Sequence, residues 1–167
     1  MPTALYYLHH PFAPEPNNPP RFCAANVIVC DDKVLLEHRK DNFQWGIVSG
    51  SLHNDENFPA CAIRRTEQET GIRLKETQLR ELHMFDDPGR IVSYLEGNIY
   101  RVIHFAYYTE LFAIPETKCG EESLELRWVP FSQLGNYSIT RTHQDILEEY
   151  CRQKKIECTM HADVYRK

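Results

Sequence analysis

The 167 residues carry 42% hydrophobic and 11% aromatic side chains, enough to fill one core, and the chain is too short for two independent domains of ordinary size. A formal net charge of −5 excludes a broad nucleic-acid surface, which needs clustered Lys and Arg against backbone phosphates, but leaves room for a small anionic ligand in a local positive pocket. No stretch reaches the ~18 apolar residues of a membrane span and the amino terminus lacks an export signal, so a soluble, cytoplasmic chain with reduced thiols is expected.

The first twenty residues hold six of the ten prolines and show no sustained period, and they read as an extended arm, either pinned to the domain or to a second subunit by Tyr6, Tyr7, Leu8 and Phe12 or partly disordered. Phe22 to Cys30 and Val34 to Arg39 are Val-, Ile- and Leu-rich runs separated by Asp31-Asp32-Lys33, which predicts a hairpin. A short apolar run, Trp45 to Val48, ends at Ser49-Gly50 and is followed by a polar loop. The pattern then predicts a helix over 56–70, with Pro59 in its first turn, Gly71 as its stop, and Ala60, Ile63 and Thr66 facing the core. Strands are expected over 79–85, 99–112 and 124–129, and a closing helix over 142–153. This order implies an α/β fold, a mixed sheet flanked by helices. None of the six cysteines forms a Cys-x-x-Cys pair, and the isolated Cys158 and His161 in a polar tail are assigned no structural metal.

The chemistry concentrates between residues 50 and 72. Gly50 is followed after five residues by Glu56 and after seven more by Arg64, and a short acidic run with Glu69 ends in Gly71-Ile72. This spacing resembles the Nudix box. The hairpin with Leu35, Leu36 and Arg39, the Trp45 before the box and the Leu126–Pro130 strand after it are also similar to that family, so the resemblance covers roughly residues 22 to 150. It implies a Nudix-type α/β/α sandwich over 22–155, between a proline-rich arm (1–21) and a tail (156–167). It further implies a hydrolase of nucleoside diphosphate derivatives, MutT-like, that uses Mg2+ or Mn2+ on the box carboxylates to neutralise the diphosphate and activate water. A homodimer is a further expectation from the resemblance and the aromatic arm.

Carried over residue by residue, Glu69 is the expected catalytic and metal-binding carboxylate and Gly50 a further metal-site position. Glu122 is chosen among Glu121, Glu122 and Glu125 as a second acid, although a solvated acidic loop explains any of the three equally well. Arg39 is a candidate for the phosphates, against surface salt bridging, and Tyr94 and Tyr100 for the base, against ordinary packing. Glu56 and Arg64 are expected to hold the loop to the helix. Two positions depart from the family pattern: Arg65 and Gln68 stand where carboxylates belong, and at ~100° per residue they share a face with Glu69, whereas Glu67 points away. Val48-Ser49-Gly50 also replaces the usual proline and two glycines. A guanidinium about 4 Å from a divalent ion repels it by several kcal/mol at an effective dielectric of ~20, so metal binding is expected to be weakened or absent if Arg65 faces the site. Two readings follow: a hydrolase with reduced or metal-atypical activity, or a binding module in which Arg65 replaces the metal charge.

Overall fold

The structure, a computed structural model, describes residues 1–160; His161 and the rest of the tail lie outside the described residues. In chain order the strands are β1 (Ala4–Leu8), β2 (Arg21–Cys30), β3 (Lys33–Arg39), β4 (Trp45–Gly46), β5 (Val48–Ser51), β6 (Arg80–Phe85), β7 (Arg90–Tyr94), β8 (Ile99–Leu111) and β9 (Ser123–Pro130). Helix α1 (Phe58–Thr70) follows β5, and helix α2 (Arg141–Lys154) follows β9.

Strand β2 explains the layering. Its residues alternate between two buried faces: Ala25, Val27 and Val29 pack in one apolar cluster with Ile146, Leu147 and Tyr150 of α2, while Ala24 and Ile28 pack in another with Cys61 and Ala62 of α1. A strand buried on both faces needs cover on both, and the result is a helix, a mixed sheet and a second helix in layers. Along one edge β2 runs parallel to β8 for ten residue pairs, from Arg21↔Val102 to Cys30↔Leu111. Its other edge is divided. Val29 and Cys30 pair with β3, and Cys23 to Asn26 pair with β5. Beyond that short hairpin contact β3 leaves β2 and pairs with β9 and β4 instead. The two partners of β2 therefore diverge, and a cleft opens between them.

Helix α1 begins at Phe58 rather than Glu56, because Asn57 caps it by accepting the Ala60 N–H at 3.0 Å. It ends where Gly71 adopts φ 77°, as the glycine stop predicts. The inward face differs from the expected one: Ala60 is exposed and Ile63 half-buried, and the buried residues are Cys61, Ala62, Thr66, Glu69 and Thr70. Three of those five are polar and meet polar partners, so an apolar period alone misphases the helix. Two further differences concern strands. Residues 4–8 are not irregular but form β1, which pairs antiparallel with β7, and β7 itself falls in a stretch assigned to no strand. No helix among the described residues is long and apolar enough to cross a membrane.

Candidate functional site

The cleft between the diverging strands has a volume of about 610 Å³ and takes its walls from β1, β2, β3, β5, β7, β8, α1, α2 and the loop before β9. A bulge between His38 and Arg39 shifts the β3 register beside it, a device that re-aims side chains at sites. Arg39 is not a surface side chain: its Nε donates to Asp41 Oδ1 at 3.0 Å, and its Nη2 donates to Asp41 Oδ2 at 2.8 Å and to the Tyr6 hydroxyl at 2.9 Å. Tyr6 in turn donates to Asp41 at 2.6 Å, so β1 fixes the arginine from across the cleft.

Arg65 turns inward. Its Nη2 donates to Glu69 Oε1 at 2.5 Å and to Glu122 Oε2 at 2.7 Å, and its Nε donates to the Ser49 carbonyl at 3.3 Å. Burial works against the Arg65 charge, yet Glu69 and Glu122 raise its pKa. Gln68 is exposed, with its Oε1 accepting from Arg64 at 3.2 Å and from Arg65 at 3.3 Å. Glu67 points away and pairs with Arg73. Glu69 is only 3% exposed. Burial first, and the nearby Glu37 second, push its pKa up against the pull of Arg65.

Glu56 and Arg64 meet in a two-pronged pair, Nε to Oε2 at 2.9 Å and Nη2 to Oε1 at 2.6 Å. Arg64 also donates to the Ser51 carbonyl at 3.0 Å, which fastens α1 to the end of β5. Gly50, Arg39, Arg65, Glu122 and Tyr94 all line the cleft, with Glu69 held against it through Arg65 and the Ser49 N–H. Tyr100 is arranged differently: the Arg21 guanidinium lies 3.9 Å from its ring centroid and 5.2 Å from that of Tyr94, and donates to the Tyr94 hydroxyl at 2.7 Å. A cation already covers these rings.

Two parts of the site escaped the sequence reading. Glu37 lines the cleft, is 4% exposed, accepts from the Ser123 hydroxyl at 3.0 Å, and has its pKa pushed up to about 7 by burial against the opposing charge of Arg39. The second is a buried polar spine. Arg90, with no exposed side-chain surface, is paired with Asp145 and donates to the Thr142 carbonyl at 2.6 Å and to His104 at 3.0 Å, and His104 meets the Ser49 hydroxyl at 3.0 Å. Polar residues spaced every second position in an otherwise apolar strand, such as Glu37 beside Leu35, are the signal that points to such burial.

The profile of the NUDIX domain family matches residues 20–150. The chain belongs to the Nudix family. No curated protein matches it significantly. Among solved structures, a MutT/nudix family protein from Enterococcus faecalis superposes with a TM-score of 0.70 at 19% identity, over 84% of this chain and 63% of that one. A bifunctional NMN adenylyltransferase/ADP ribose pyrophosphatase from Francisella tularensis, complexed with AMP and a Mn ion, gives 0.66 at 20% over 86% and 43%. The NUDIX domain of Shewanella oneidensis NrtR complexed with ADP ribose gives 0.66 at 14% over 81% and 88%. The chain thus spans less than two thirds of the first two of these proteins, and at such identities the likeness shows the Nudix fold alone. Strand β1 precedes the matched residues and adds a wall to the Nudix cleft.

Nudix hydrolases generally use divalent metals, and this donor set can be tested for them. The Arg65 guanidinium fills the space between Glu69 and Glu122 that a cation bound to both carboxylates would take. It also lies over Gly50, where an added Cβ would sit 2.1 Å from Arg65 Nε. Among the described residues no three His, Cys, Asp or Glu side chains are arranged to hold a metal ion. In this arrangement the residues do not fit Mg2+ or Mn2+, and the reason is the inward Arg65.

Proposed function

We propose that the cleft is a Nudix-type hydrolytic site for a nucleoside diphosphate derivative, in which fixed guanidinium charge takes over part of the neutralisation that the family assigns to metal. One observation carries this reading. On a chain of net charge −5, the cleft beside the box gathers Arg21, Arg39, Lys40, Arg64 and Arg65 against the carboxylates of Glu37, Asp41 and Glu122. Glu56 and Glu69, outside the lining, pair with Arg64 and Arg65, so what the cleft offers a compact polyanion is an array of fixed guanidinium groups rather than a net positive charge. Arg39 and Arg65 supply fixed guanidinium charge, and because Asp41, Tyr6, Ser49, Glu69 and Glu122 already accept from them, a phosphate oxygen binds by sharing or displacing those acceptors. Glu69 and Glu122 hold Arg65 in place, and Glu37, with a pKa of about 7, is the carboxylate matched to taking a proton from water near neutral pH. Tyr94 stands at the cleft wall as the aromatic candidate for a base, which would stack there in competition with the Arg21 guanidinium.

A second reading, nucleotide binding without turnover, follows from the Arg65 bridge, because the guanidinium takes the position between Glu69 and Glu122 that a divalent ion bound to both would need. The titration that separates the two uses ADP-ribose, nucleotide sugars and dinucleoside polyphosphates, each with and without magnesium or manganese. Product release supports the hydrolase. Saturable, metal-independent binding without product selects the binding module, and absence of both binding and turnover sinks both readings.

A further inference from the structure

The buried spine that ends at Ser49 transmits a direction. A guanidinium has no acceptor, so Arg90 Nη2, 3.0 Å from His104 Nδ1, donates and Nδ1 accepts. Burial, and then the Arg90 charge, hold the His104 pKa well below the usual imidazole range; the ring is neutral and its single proton sits on Nε2. Nε2 lies 3.0 Å from Ser49 Oγ and therefore donates to it. Arg90 cannot rotate away cheaply, because its Nη1 is paired with Asp145 and its Nη2 also donates to the Thr142 carbonyl. This polarity is the reverse of a nucleophilic serine with its base, where the imidazole must offer a lone pair. The Ser49 backbone N–H is already given to Glu69 Oε2 at 3.3 Å, so the hydroxyl proton is the donor that this half-buried residue has left for the cleft it lines.

We propose that Ser49 is a substrate-positioning residue that donates its hydroxyl proton to a phosphate oxygen, with its direction imposed by Asp145, Arg90 and His104. This rests on the reading of the cleft as a diphosphate site. The residues act in series: Asp145 orients Arg90, Arg90 fixes the tautomer of His104, and His104 takes one of the serine's two lone pairs and leaves its proton to point toward ligand.

The test has two arms. In the ligand-free protein, nitrogen-15 NMR of the histidine rings at neutral pH is expected to show His104 as the neutral Nε2–H tautomer; an Nδ1–H tautomer or an imidazolium overturns the inference whatever the cleft binds. Calorimetric titration with ADP-ribose and with inorganic pyrophosphate is then run on wild type and Ser49→Ala, whose melting curve confirms that the variant is folded. Loss of one hydrogen bond to a charged oxygen is expected to weaken both ligands at least about tenfold. Wild-type binding that Ser49→Ala leaves unchanged overturns the inference alone. Wild type that binds neither ligand overturns the diphosphate reading and the role of Ser49 with it.

Discussion

The Arg64 side chain, through its hydrogen bonds, holds the Glu56 carboxyl at about 2, below its ordinary value of 4.5. A carboxyl depressed by folding contributes stability that is fully present above its unfolded pKa and is lost as the pH falls through the folded one. Glu56→Gln is therefore expected to lower the melting temperature at pH 7 by about 2–4 °C. The gap between variant and wild type should close as the pH falls from about 4.5 to about 2. Calorimetric melts across that range check it, and a gap independent of pH would mean that the pair does not act through its charge. The double change Arg65→Glu and Gln68→Glu converts two positions beside Glu69 from a formal charge of +1 to −2 and removes the guanidinium from between Glu69 and Glu122. Manganese affinity by calorimetry is expected to rise at least about tenfold, since several kcal/mol of repulsion is removed. A folded double variant with wild-type affinity would show that these positions do not set cation binding.

At the scale of elements, local signals were legible and distant ones were not. The hairpin of β2 and β3 could be read because two apolar runs flank Asp31 and Asp32, and the end of α1 because Gly71 supplies a left-handed residue. Gly71→Ala is expected to cost about 1–2 kcal/mol from φ strain, since its Cβ meets Lys118 only at ordinary contact distance. Chemical denaturation of the folded variant measures this, and an unchanged midpoint would mean that the helix end relaxes. Strand β1 was hidden by the prolines around it, such as Pro2 and Pro11, and because its pairing with β7 joins residues about eighty to ninety positions apart. The same holds for the site. Gly50, Glu56, Arg64 and Glu69 sit within one motif and could be named from spacing, whereas Glu37, His104 and Asp145 acquire meaning only from partners on other elements.

Over the whole molecule, Arg90 ties three elements together: its own strand β7, strand β8 through His104, and helix α2 through Asp145 and Thr142. Burial pushes the Asp145 pKa up, with Arg90 opposing, so the acid depends on its partner. Arg90→Met removes that carboxyl's paired guanidinium, leaving only the weaker pull of Arg141, and is expected to cost about 3–5 kcal/mol in guanidinium denaturation. Adding Asp145→Leu should recover most of the loss, because two apolar groups then replace two charges. If the single change costs no more than a surface substitution, the spine does not hold the layers together.

The parallel ladder between β2 and β8 also sets a timetable. Its paired residues lie about eighty positions apart. A ribosome adding ~5–20 residues per second therefore finishes β2 roughly 4 to 16 s before its long neighbour exists. Through that interval Val27, Ile28 and Val29, all buried in the finished protein, have no β8 beside them. The nascent chain, with the central strand of the sheet still open along one edge, is where this fold is most vulnerable to sticking to other chains, and synthesis of residues 102–111 closes that window.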